Sequence, residues 1–297
     1  YAEMLHWSLP ATAFLEYENF EHLLKQHGAI EQYGRFVRGG HWRGFLAKYE
    51  ESNLMHKKML AVSQSLEQFE AGHGTKNTGK VRDSLYAAQC NCPYWHGVFG
   101  GLYLPHLRQA VYGKMIEAEQ ELRKLRKESG VRMISTDYDA DGHNEMVVTT
   151  DTFSAVLKPN KGGTLTELSL LKEHFNLTDT LSRRKEGYHL KLDKAVTDEG
   201  QQSTASIHDL VLAKEPGLKS FLIEDWYLKR CFIDHVLSEG VGFEQFQSGA
   251  YGEDGDFVLE EYRIQRSADL NSAVLSRDGF VRQPGKSIPI RITKKFT

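Results

Sequence analysis

The spacing of apolar residues changes near residue 130, and that change limits the chain to a small set of folds. Before it, Met55, Met59, Val62, Leu66 and Phe69 recur at steps of four and three, as do Val111, Met115, Ala118, Leu122 and Leu125. A turn of 3.6 residues puts each set on one helix face, where packing between helices is the natural use. Phe20, Leu23 and Leu24 give another apolar face, with Gly28 as its stop, and Gly130 is expected to close the helix carrying Val111. Glu119 and Arg123 are spaced for an i,i+4 ion pair on that helix. The polar run from Gly72 to Gly79 connects two helices.

After Val131 short β-rich runs alternate with turn residues. Met146–Thr150, Phe153–Leu157 and Thr164–Leu168 read as strands, and Pro159-Asn160-Lys161-Gly162-Gly163 joins the last two as a hairpin turn. Phe257-Val258-Leu259, Tyr262-Arg263-Ile264 and Ile288–Ile292 repeat the pattern. The expected architecture is α+β: a helical domain over residues 1–130, then an antiparallel β-sandwich over 131–297. The last residues, Ile290 to Thr297, read as a strand in progress. Because folded proteins avoid raw strand edges, and because Tyr1 opens directly on an amphipathic run, we expect a chain truncated at both ends.

Bulk properties exclude more than they identify. With 297 residues and 40% hydrophobic side chains, the chain can bury a substantial core. A formal charge of −3 favours neither nucleic acid nor an acidic membrane, and no run approaches the 18 apolar residues of a membrane span. The Arg123–Lys127 cluster sits in the last turns of a helix, where cations complement the dipole. Three cysteines, Cys90, Cys92 and Cys231, give no disulfide framework and fit a reducing compartment. Cys90 and Cys92 lack the spacing and the second pair of a zinc site.

The densest candidate for chemistry is the run Gln89 to Arg108. Tyr94, Trp95, Phe99 and Tyr103 supply flat apolar faces; Asn91, His96, His106 and Arg108 supply polar groups; Gly97, Gly100 and Gly101 allow close approach or positive φ. A pyranose has an apolar C–H face and a hydroxyl rim, so this mixture suits sugars, though aromatics near a turn also serve as core anchors.

This run, Gln89-Cys90-Asn91-Cys92-Pro93-Tyr94-Trp95-His96-Gly97 with Phe99-Gly100-Gly101 and Tyr103-Leu104-Pro105-His106-Leu107-Arg108, closely resembles the last characteristic region of family 57 glycoside hydrolases of the α-amylase and 4-α-glucanotransferase type. Glu3–Pro10, Gly39–Phe45 with Lys48-Tyr49, and Glu51–Lys57 are similar to that family's helical region. Lys161–Leu168, Arg183–His189, Ser206–Asp209, Asp225–Tyr227 and Asp234-His235 resemble its C-terminal domain. The resemblance implies a helical extension of a (β/α)7 barrel followed by a mutarotase-like sandwich, acting on starch, maltodextrin or glycogen in the cytoplasm with no required cofactor. It implies glucan contacts from Asn91, Tyr94, Trp95 and His96, together with Trp7 and Trp42.

Retaining glycosidases need two carboxylates about 5 Å apart. In the family these lie in the barrel, upstream of Tyr1, so no catalytic residue is expected here. Glu167 and Asp209 read as structural hydrogen-bonding groups. One departure stands out: the family has Asp where this chain has Cys92, followed by Pro93. Loss of that charge puts activity or substrate preference in question, and supports an alternative reading as a non-catalytic carbohydrate-binding or accessory protein. A third reading uses the sandwich for homodimerisation.

Asp137, Asp139 and Asp141, followed by Gly142, open like a calcium loop, but Val148 stands where an EF-hand needs Glu. Two readings stay open, a short Ca2+ loop or an Asp/Gly-rich turn whose side chains cap backbone groups. His189, His208 and His235 are widely separated and read as structural.

Overall fold

A computed structural model describes residues 2–97, 99–193, 217–268 and 272–297. Ser206–Asp209, with His208, lies outside the described residues. The chain begins with helices α1 (Ala2–Trp7), α2 (Ala11–Gln26), α3 (Ile30–Tyr33), α4 (Trp42–Lys48), α5 (Glu50–His73), α6 (Gly79–Ala88) and α7 (Pro105–Arg126). Strands β1 (Arg132–Thr136), β2 (Glu145–Thr149), β3 (Phe153–Lys158), β4 (Thr164–Leu170) and β5 (Phe175–Asn176) follow. A short helix α8 (Phe243–Ser248) precedes β6 (Arg263–Arg266), β7 (Ala273–Gln283) and β8 (Lys286–Phe296). The expected succession of helices and then antiparallel sheets is what the molecule shows.

The two long periodic sets build the helical core. Met55, Val62, Leu66 and Phe69 of α5 pack with Val111, Met115, Ala118 and Leu122 of α7, while Met59 and Leu125 sit at its margin. Proline at the first position of α7 costs no hydrogen bond, because that N–H has no helical partner. The far end differs from expectation. The helix stops at Lys127, ahead of Gly130; Lys127 takes the left-handed conformation (φ 55°), and Glu128 N–H donates back to Arg123 O at 3.0 Å. Glu119 and Arg123 do not pair: Glu119 reaches Lys58 on α5, and Arg123 reaches Asp151. The tertiary partners are closer counter-charges than the helical neighbour. Phe20 and Leu23 of α2 face outward, so that stripe is not core among the described residues.

The first five strands form one antiparallel sheet in the order β1-β2-β3-β4-β5, and the last three form a second, β6-β7-β8. Pro159–Gly163 makes the β3–β4 turn, as its composition indicated. Val156 pairs with Glu167 and Leu157 with Leu165, so Thr166 is an extra residue in β4. Such a bulge inverts the alternation of side chains. Leu165 and Leu168 therefore share the face that joins Ala155 and Leu157 to Leu275 and Val281 of the second sheet. Glu167 and Ser169 are turned to the opposite face, where Glu167 meets Lys58 of α5. Phe257-Val258-Leu259 forms no strand. Phe257 and Val258 are buried as loop residues, with Phe257 in the core shared by the two sheets.

Candidate functional site

The run from Gln89 folds as two short 3-10 turns, Cys92–Tyr94 and Gly101–Tyr103, packed under α5 and α7. Gly101 makes this possible. Its φ is +48°, and a Cβ there would lie 2.2 Å from Trp95 O and 2.7 Å from Cys92 O. Leu102 N–H donates to Trp95 O at 2.8 Å, closing the two turns on each other.

The six residues expected to touch sugar do not form one wall. Tyr94 is buried and its hydroxyl donates to Ala88 O at 2.7 Å, so it is a core anchor. His96 is 2% exposed. Trp42 is half-buried and stacks on Phe45 at 5.8 Å. Asn91 is exposed on the surface turn beside Cys92. Trp7 and Trp95 are half-buried, and each has a buried indole N–H without an acceptor among the described residues. Trp7 and His96 are in direct ring contact, with centroids 4.9 Å apart, while Trp7, Trp42 and Trp95 pack against the hydrophobic cluster that contains Tyr94. Arg108 is bonded to Asp179 and Leu102 O.

The group that organises this region is Glu186, from the Arg183–His189 motif. It is 1% exposed. Its Oε1 accepts from the Tyr49 and Tyr103 hydroxyls, each at 2.5 Å, and its Oε2 from Lys48 Nζ at 2.8 Å. Burial works to raise its pKa, but Lys48 and the three hydrogen bonds outweigh it and hold the carboxyl below its usual range. An ionised carboxylate only accepts, so the single Tyr49 proton points to Glu186. The Tyr49 oxygen then accepts from His96 Nε2, 2.5 Å away, which fixes the Nε2–H tautomer of the imidazole. Burial pushes the His96 pKa down to about 4; Glu186 opposes this, and Lys48 and Arg184 add to it. The imidazole is neutral at pH 7. Lys48, Tyr49 and Glu186 stand within the family-like motifs, where their sequence neighbours indicate no role for them. The only available signal was one acid set in a run of three bases, Arg183-Arg184-Lys185-Glu186.

Beside Glu186 opens a cleft of about 490 Å³. Tyr103, Arg184, Tyr188, His189, Phe221 and Glu224 are among its lining residues. Tyr188 and Tyr103 connect it to the aromatic cluster, at 5.7 Å from Trp7 and 5.0 Å from His96 respectively.

The aspartate-rich loop holds a cation of its own. Lys158 of β3 is fully buried, and its ammonium donates to Asp139, to Asp141 at 2.7 Å and to Glu145 at 2.9 Å. Asp137 caps the backbone N–H groups of Asp141 and Gly142 at 3.0 and 3.1 Å. Of the three proposed calcium ligands, two thus serve a lysine and one caps a turn. Asp137, Asp139 and Glu145 do cluster closely, but with Lys158 among them the donor set already has its positive charge. Of His189, His208 and His235, the two among the described residues have separate partners: His189 Nδ1 accepts from Glu186 N–H, and His235 pairs with Glu253. Glu167 is structural, bonded to Lys58 at 2.8 Å and Ser169 at 2.7 Å.

A family model described as "Alpha-amylase/4-alpha-glucanotransferase, C-terminal" matches residues 137–297, and the corresponding middle-domain model matches residues 40–122. The 4-α-glucanotransferase of Thermococcus kodakarensis is 38% identical over 294 residues, which are 99% of this chain and 42% of that protein. α-Amylase 1 of Dictyoglomus thermophilum is 37% identical over 282 residues, 95% of this chain and 40% of that protein. The crystal structure of 4-α-glucanotransferase from Thermococcus litoralis matches with a TM-score of 0.80 at 35% identity, covering 99% of this chain and 40% of that one. The chain belongs to the α-amylase/4-α-glucanotransferase family of family 57 glycoside hydrolase type, and it spans about 40% of the length of these relatives.

Proposed function

We propose that this chain is part of a retaining enzyme that cuts and rejoins, or hydrolyses, α-1,4-glucan. In this reading it supplies the helical wall of the substrate region and a C-terminal β-sandwich, while the reacting carboxylates come from polypeptide outside this sequence. The observation that carries the reading is a match running through 99% of the chain to proteins named 4-α-glucanotransferase. Site chemistry supports the division of labour. Glu186 is committed to a lysine and two tyrosines, and Glu167 to a lysine and a serine, so neither is free to act as nucleophile or proton donor. The chain alone is then inactive. Three cysteines without disulfides support a cytoplasmic site of action.

The test is incubation of the full-length gene product with maltopentaose, followed by chromatography. Products both longer and shorter than the substrate mean transfer. Shorter products with new reducing ends mean hydrolysis. An unchanged substrate would sink the proposal. Cys92, exposed where the family carries Asp, favours one other reading, a glucan-binding protein without turnover. Retardation of the full-length protein in an amylose gel with no product formation would select it.

A further inference from the structure

We propose that the cleft beside Glu186 is an α-glucan subsite, with the Tyr188 ring as its stacking platform and Arg184 and Tyr103 as hydroxyl partners. The inference rests on the proposed glucan activity and adds a binding site to it.

The cleft, at about 490 Å³, falls in the range of small-molecule sites, roughly 300–1,000 Å³. A glucosyl unit needs an apolar face and a polar rim, and the cleft offers both. Tyr188 is 36% exposed, and its contacts with Trp7 and His189 are both T-shaped, so neither ring lies stacked over it. Phe221, more exposed still, adds apolar surface. Around the rim, Arg184 lines the cleft with its guanidinium held by Glu51 through Nη2 at 2.7 Å. Tyr103 gives its proton to Glu186 and so offers an oxygen lone pair. Glu224 adds an acceptor.

These groups are held in place before any ligand arrives. Gly187 sits so close to Phe14 that a Cβ would lie 2.2 Å from its ring, and Glu186 next to it is anchored by Lys48, Tyr49 and Tyr103. Tyr188 therefore hangs from a fixed backbone. The two guanidiniums of the lining are already committed, Arg183 to Asp225 at 2.6 Å and Arg184 to Glu51.

The experiment uses full-length protein carrying Tyr188→Ala or Tyr188→Phe, with maltotriose and maltoheptaose. Steady-state rates give KM and kcat, and calorimetric titration with maltoheptaose gives Kd without requiring turnover. We expect Y188A to raise KM and Kd for maltoheptaose about tenfold, with kcat and the maltotriose KM within about twofold of wild type. Y188F, which keeps the ring, should match wild type on both substrates. Unchanged maltoheptaose KM and Kd in Y188A, or an equal KM rise for both oligosaccharides, overturns the subsite. Wild-type protein that binds maltoheptaose without turnover overturns the activity instead, and the subsite then stands or falls on the Y188A Kd. Wild-type protein that neither binds nor turns over either sugar overturns both.

Discussion

The Tyr49 hydroxyl donates to Glu186 Oε1 at 2.5 Å, and the two residues lie 137 positions apart in a pocket that excludes solvent. Glu186 belongs to the segment leading into the cleft, Tyr49 to the start of the long helix α5, and His96 hydrogen-bonds the same hydroxyl. Removing that hydroxyl leaves an imidazole N–H without its acceptor and a carboxylate oxygen with one donor fewer. Tyr49→Phe should therefore cost about 1–3 kcal/mol of stability, the usual penalty of a buried unpaired group. The midpoint of urea unfolding measures it. A change under about 0.5 kcal/mol would mean that the bond adds nothing net.

His96 makes stability depend on pH. Its folded pKa of about 4 lies below the usual 6.5, so the folded state resists protonation. Between those values the unfolded chain binds more protons, and stability rises with pH across the window. Acidification from pH 7 to pH 4 should progressively remove a contribution on the order of 3 kcal/mol. His96→Asn should flatten that part of the profile relative to wild type, judged by unfolding at pH 7, 5.5 and 4.5. Equal slopes would assign the acid sensitivity to other groups.

Lys58 is buried between Glu119 and Glu167, 2.8 Å from each. Lys58→Met should cost about 3–5 kcal/mol, because buried Glu167 and half-buried Glu119 lose their shared cation. Combining it with Glu119→Gln and Glu167→Gln should recover most of the loss, since the charges are then gone together. Thermal unfolding of the single and triple variants compares the two. A triple variant no better than the single one would show that shape, not charge, governs this contact.

Lys158 makes a parallel prediction about metal. Its ammonium already pairs with Asp139, Asp141 and Glu145. Chelation with EDTA should leave the melting temperature of the wild-type protein unchanged. Lys158→Gln should lower it, by a loss of about 3–5 kcal/mol, and added calcium should restore part of that loss. A wild-type melting point that falls on chelation would return the loop to a calcium role.

Much of this was legible in the chain. The Met55 and Val111 stripes became the facing sides of α5 and α7, and the Pro159–Gly163 turn and its flanking strands formed as their chemistry indicated. What stayed hidden was long-range. Nothing local to Glu186, Lys58 or Lys158 names a partner, because the partner is chosen by topology. The bulge at Thr166 aims Glu167 at the helices, and no alternation rule anticipates an extra residue. Periodicity also misled at Phe20 and Leu23, since an apolar stripe shows which face is greasy and not whether anything covers it. Phe257 and Val258 were read as strand because burial and strand share a composition.

The Lys58–Glu167 contact also sets an order of events during synthesis, because its two ends are made 109 residues apart. As the polypeptide is made, the Lys58 ammonium on α5 meets its first carboxylate, Glu119 on α7, 61 residues later, and its second, Glu167, only once the fourth strand exists. The surroundings of this buried cation are therefore completed only when the sheet is laid against the helices.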